Sequence, residues 1–238
     1  MSLAAWRRPP VESFAASGGV LAFVLIALGC VAAAIGYTGA AGEPYSPLNH
    51  WISELGQEGV SARASVFNGC LVLGGLAFVE FVAGLWRSSP SRLRWAFGPV
   101  GVLAGIGGAL VGVFPMNHPV QHVAAASTFF NLGWLFVLLA SASFVRAHEP
   151  RHPAWLAAVG GASVVAFLAF LVSLRADAFA RGRMASSGPI TGRPDVWIAP
   201  VLEWATLISI MVWVLLTSLA WWRELRRELR REAAGAGR

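Results

Sequence analysis

Six stretches of this chain are too long and too apolar to fold in water. They cover about 17–37, 64–86, 95–115, 120–145, 154–174 and 197–222. Each reaches the ~20 residues that a helix needs to cross ~30 Å of hydrocarbon. Sequence-wide, 56% of residues are hydrophobic and 13% charged, which is more apolar and far less charged than a soluble domain. The expected fold is therefore all-α: a six-transmembrane-helix bundle forming one domain over 1–222, followed by a charged tail helix over 223–238. The first apolar run is longer than the core of a cleaved signal peptide and has no clean small-residue cleavage site after it, so it reads as a retained helix.

All 18 basic residues are arginine and the net charge is +6. The charge lies in loops and tail, where it suits anionic lipid headgroups; no nucleic-acid motif accompanies it. The terminal segments and the loops after spans two and four hold 13 arginines, against 5 in the opposite loops. The positive-inside rule then places both termini in the cytoplasm and the loops after spans one, three and five outside. In the tail, Glu224 with Arg227 and Glu228 with Arg231 stand three apart, as ion pairs along a solvated helix do. Cys30 and Cys70 fall inside apolar runs and read as small core residues rather than a disulfide or a metal site.

The loop between spans one and two carries an amphipathic pattern. Ser46 and Pro47 form a helix-start pair. Leu48, Trp51, Ile52 and Leu55 then recur on one side, with Asn49, His50, Ser53, Glu54 and Gln57 on the other. This predicts a short outer amphipathic helix that lies in the membrane interface or caps the bundle as a structural lid with its polar side solvated.

Span three carries glycine at 98, 101, 105, 108 and 112. Steps of three and four keep these on one face, where small residues allow another helix to approach closely. The turn after it, 116–119, is short enough to make spans three and four antiparallel neighbours. On span four, Ala126, Phe129, Phe130 and Gly133 share the face of His122, whereas Asn131 lies about 180° away. His148 and His152 read as loop residues, because Pro150 and Pro153 interrupt any helix that would align them.

Several polar residues then reach a similar depth at the outer end: His50, Ser53, Glu54, Asn68, Asn117, His118, His122 and Glu203. Glu203 is the strongest clue, since an acid within a span is costly and faces a partner or a cavity. His122, Arg175 or a watered pocket are the partners available to it. Glu80 lies too deep to join the group. His118 and His122 have the four-residue spacing of a metal pair, with Glu203, Glu54 or His50 needed as a third ligand. Pro119 argues against that geometry by making His118 a loop residue, and no cofactor or metal is expected. A Ser53–His–Glu hydrolase arrangement lacks a nucleophile-elbow sequence. Glu54 and Glu203 could act as acid and base at a shielded site.

These motifs also carry a resemblance. The run from Asn49 through Ser53, Glu54, Leu55 and Gly56, the Phe67-Asn68-Gly69 segment, the Gly112-Val-Phe-Pro-Met-Asn-His118 segment with His122, and Glu203 late in the chain resemble domain-of-unknown-function family nine-nine-eight of bacterial and archaeal multi-pass membrane proteins. The resemblance spans roughly 20–222. Its members often have Glu followed by Arg in the last span; here Trp204 follows Glu203. The family looks distantly similar to the Frag1/DRAM/Sfk1 membrane proteins, some of which are linked to lipid remodelling or distribution. The resemblance implies a multi-pass protein of the plasma, or inner, membrane.

Two functions follow as expectations. In the first, a polar pocket in the outer leaflet binds a membrane lipid or other amphiphile, with Ser53, Glu54, Asn68, Asn117 and His118 contacting it. In an enzymatic version His122 and Glu203 transfer the proton and the amphipathic helix covers the head. In the second, the protein is non-catalytic, and its buried polar residues lock helices or serve a partner. A transporter is a weaker third reading, for the chain has no inverted repeat and no corresponding pair of broken spans.

Overall fold

A computed structural model describes residues 11–147, 153–181 and 193–235. His148, His152 and Arg183 lie outside the described residues. The helices are α1 (Val11–Ala34), α2 (Ala64–Ser88), α3 (Arg94–Val113), α4 (Pro119–Ala147), α5 (Trp155–Arg181) and α6 (Ile198–Gly235). All six are long and apolar enough to cross a membrane. A short 3-10 helix, Ile52–Gly56, lies between α1 and α2; we call it the lid. No strand occurs among the described residues.

The boundaries follow local chemistry. α1 stops at Gly36, whose φ of 77° is a left-handed conformation that breaks the helix at low steric cost. α4 begins at Pro119, which has no N–H to leave unsatisfied at a helix start. α5 runs on to Arg181, through residues that the hydropathy pattern assigns to a loop, so Arg175 and Asp177 sit on helix rather than in a connection. α6 continues unbroken from the span into the arginine-rich tail, where Arg227 Nη1 meets Glu224 at 3.1 Å.

Each helix packs on the one before it, and α6 closes on α1, so the bundle is a ring in chain order. Toward the end of the ring near the chain termini, aromatic side chains pack the interior. Trp213 is fully buried there between Phe81, Phe136 and Phe144, with ring centroids 5.7–6.2 Å away. Its indole N–H donates to the Leu156 carbonyl at 3.1 Å, which satisfies the polar end of an otherwise apolar side chain.

The glycine stripe serves this packing. A Cβ on Gly112 would lie 2.5 Å from the carbonyl oxygen of Asn68, and one on Gly105 would press on Val79 and Phe78, all on α2. Gly98 is covered by Trp86, and Gly101 faces Phe136 of α4 as well as Val82 of α2. α3 is therefore wedged against both neighbours. Cys30 and Cys70 are free thiols.

The lid differs from its expected form. Asn49 and His50 N–H groups both donate to the Ser46 carbonyl, closing a single turn. Trp51 then takes an extended conformation, and only Ile52–Gly56 is helical. The polar side is not solvated: His50 and Glu54 are 2% and 1% exposed, while Leu48, expected on the apolar side, is 50% exposed. An amphipathic helix shows one side to water; this segment is covered on both. The bundle lies beneath it, and the start of α6 crosses beside it, with the Trp197 N–H donating to the Leu48 carbonyl at 2.8 Å.

Candidate functional site

At the lid end the ring does not fill its own centre. A chamber with about 830 Å³ of atom-free space, part of it open mouth, lies between α1, α2, α3, α4 and α6 beneath the lid. Its wall is mostly apolar, with Phe78, Phe129, Phe130, Leu207 and Met211 among its residues. Three strongly polar side chains line it: Ser53 from the lid, His122 from α4 and Glu203 from α6. All three lie at the lid end. Met211 is eight residues below Glu203, and Phe130 eight below His122, or ~12 Å at 1.5 Å per residue. The α4 wall is the face that helical spacing assigns to His122, with Ala126, Phe129 and Phe130. Asn131 is exposed on the opposite side, its amide N–H bonded to the Ser127 carbonyl.

The two titratable groups are each held by backbone. His122 Nδ1 lies 2.9 Å from the Phe114 carbonyl oxygen. A carbonyl only accepts, so Nδ1 carries the hydrogen and a neutral ring keeps its lone pair on Nε2. Glu203 Oε2 accepts the Ile52 N–H at 2.7 Å, which ties α6 to the first residue of the lid. Arg175 is exposed on α5, so the observed partner of Glu203 is this backbone group rather than Arg175.

The other residues marked from sequence stand outside the chamber wall. Asn68 donates its amide N–H to the Gly56 carbonyl at 3.0 Å and clasps the end of the lid. Asn117 exchanges two hydrogen bonds with the backbone of Glu58, at 2.8 and 3.0 Å, holding the following turn. His118 is exposed, with its ring edge toward Phe114. It does not line the chamber with His122. Among the described residues, no three His, Cys, Asp or Glu side chains gather as metal ligands.

Glu54 belongs to a second cluster, above the chamber, that sequence reasoning missed. Arg193 grips both its carboxylate oxygens, at 2.9 and 2.5 Å, and also donates to the Asn49 carbonyl. Glu43 Oε1 stands 3.8 Å from Arg193 Nε and 3.6 Å from His50 Nε2. Burial would raise the Glu43 pKa. Hydrogen bonding to its own backbone N–H and that of Ala41, with Arg193 and His50 beside it, outweighs this and holds the carboxyl below its ordinary range. Burial pushes the Tyr37 and Tyr45 phenols well above theirs, reinforced chiefly by Glu54 at Tyr37 and by Glu203 at Tyr45. Both stay neutral. Tyr45 accepts the Trp204 indole N–H at 3.0 Å and donates to the Trp51 carbonyl at 3.1 Å. No sequence signal marked this cluster. Nothing local marked which acid Arg193 would meet.

Chemically, the chamber offers a long apolar slot that ends in a hydroxyl, an imidazole and a carboxylate, under a lid pinned from α2, α6 and the α3–α4 turn. No curated protein and no solved structure matches the chain. A family model matches residues 24–222, nearly the whole bundle, and the chain belongs to the family described as Protein of unknown function (DUF998).

Proposed function

We propose that the chamber binds a membrane lipid or other single amphiphile, tail inward and head beneath the lid, with the lid end in the outer leaflet. One observation carries this reading. The cavity is apolar along its depth, and its three strongly polar side chains, Ser53, His122 and Glu203, all stand at one end. The ~12 Å between polar and apolar ends is comparable to half of a ~30 Å hydrocarbon core. If the head is also chemically modified, His122 and Glu203 are the groups able to move its proton, and Ser53 is the hydroxyl beside them. Asn68 and Glu54 serve the head indirectly in this reading, by holding the lid in place, and Asn117 does so by holding the turn that follows it.

The test is native mass spectrometry of protein extracted gently from its membrane, wild type beside Gly108→Leu. Gly108 lines the chamber and a Cβ on it would meet only the Phe129 ring, at 3.4 Å, so a larger side chain there takes up chamber space. We expect one lipid class on the wild type and its loss from the folded variant. The same lipids on both would overturn the proposal.

A specific observation also favours the helix-locking alternative: Glu203 and Asn68 each hold lid backbone, at Ile52 and Gly56. Under that reading, Glu203→Gln lowers thermal stability and leaves bound lipid unchanged. Under the chamber reading it alters which lipid is bound.

A further inference from the structure

Resting on the chamber reading, we infer that the head group taken at the lid end is a neutral hydrogen-bond donor, a hydroxyl on an otherwise apolar chain, and not a phosphate or carboxylate. The polar end is rich in acceptors and has no permanent cation. His122 Nδ1 spends its hydrogen on the Phe114 carbonyl, so the neutral ring can offer only the Nε2 lone pair to an occupant. Glu203 Oε2 is occupied by the Ile52 N–H, and Oε1 has no hydrogen-bond partner among the described residues. Ser53 supplies a hydroxyl that can accept or donate.

Arginine is the only permanent cation in this chain, and none lines the chamber. Of the arginines described near the lid end, Arg193 is committed to Glu54 and Asn49, Arg63 to the Ala32 carbonyl, and Arg175 is exposed on α5, which contributes no residue to the chamber wall. An anionic head would enter a low-dielectric slot beside an acidic side chain with no fixed cation to neutralise it. Protonating Glu203 would add one donor but no positive charge, so the anion would still be uncompensated. A hydroxyl head instead donates to Glu203 Oε1 or His122 Nε2, and accepts from Ser53. It satisfies the site without carrying charge into it.

The experiment compares four n-alkyl probes of one tail length: a primary alcohol, a carboxylate, a phosphate monoester and an amine. Each is titrated into the purified full chain in neutral detergent and read by native mass spectrometry. Gly108→Leu run in parallel measures nonspecific uptake. Because an anionic head would bring an uncompensated charge into the slot, the alcohol should bind roughly tenfold or more tighter than the carboxylate and phosphate. That preference should shrink in Glu203→Gln. If this variant does not fold, the wild-type ranking alone decides. A carboxylate or phosphate that binds as tightly as the alcohol overturns the head-group inference and leaves the chamber standing. A preference for the amine overturns it in favour of a cationic head paired with Glu203. No uptake of any probe above the Gly108→Leu level overturns the inference and the chamber reading together.

Discussion

Glu54 is the residue on which the lid's electrostatics turn. It is buried, and each of its oxygens meets a separate guanidinium nitrogen of Arg193, which is itself 10% exposed. Removing one partner of such a pair leaves a buried charge uncompensated, at a cost of about 3–5 kcal/mol. Arg193→Met should therefore lower the melting temperature in detergent markedly, and adding Glu54→Gln should restore part of the loss. A fully additive double variant would show that the two side chains do not depend on each other. Glu43, beside them, adds a dependence on pH. Its carboxyl is held below the ordinary range in the folded protein, so the folded state favours the ionised form. That contribution is present above the unfolded value of about 4.3 and fades as pH falls through and below it. The stability gap between wild type and Glu43→Gln should accordingly be widest near neutral pH and narrow on acidification. Melting curves from pH 7 to 3.5 measure it, and a gap that widens in acid would contradict the assignment. Neither acid's role was visible in the sequence. Glu43 has no local pattern, and Arg193 lies 139 residues from Glu54.

At the scale of elements, what was legible was what repeats. Helical spacing placed His122, Ala126, Phe129 and Phe130 on one face, and that face lines the chamber because α4 is a regular helix. The lid was misjudged in form because Leu48, Trp51, Ile52 and Leu55 span barely two turns. Over so short a run a period of 3.6 is hard to tell from one of 3.0. Its polar residues were placed in water because amphipathicity gives the two sides of a helix but not what covers each. The glycine stripe was read as a packing face, and the structure separates its members by what they touch. Gly112 meets α2 backbone, which cannot yield as a side-chain tip can, whereas Gly108 has room. Gly112→Val should cost about 1–3 kcal/mol through forced separation of α2 and α3. Gly108→Ala should be neutral or stabilising by up to about 1 kcal/mol, the helix propensity difference. Thermal unfolding of both variants in one detergent checks the contrast, and equal effects would mean the stripe does not discriminate between its neighbours.

For the molecule as a whole, hydropathy is a one-dimensional signal, and it yields spans and their count but not their arrangement. The ring in chain order, with α6 returning to α1, rests on contacts between distant segments such as Gly19 against Ser218. That closure creates both the chamber and its single lid. Which leaflet the chamber serves depends on orientation, for which the argument is the excess of 13 arginines over 5 on the side of the termini. It can be tested directly. His118 is exposed at the lid end and Arg92 is exposed at the opposite end. With Cys30 and Cys70 replaced by alanine, a cysteine is introduced at one position or the other. A membrane-impermeant maleimide applied to intact cells should label His118→Cys, and should label Arg92→Cys only after the membrane is opened. The reverse pattern would turn the lid to the cytoplasm. The apolar slot, its acceptor-rich end and the preference for an uncharged hydroxyl would remain, because they depend on local geometry alone. The occupant would then be drawn from the inner leaflet, and the pool of candidate lipids would change with it.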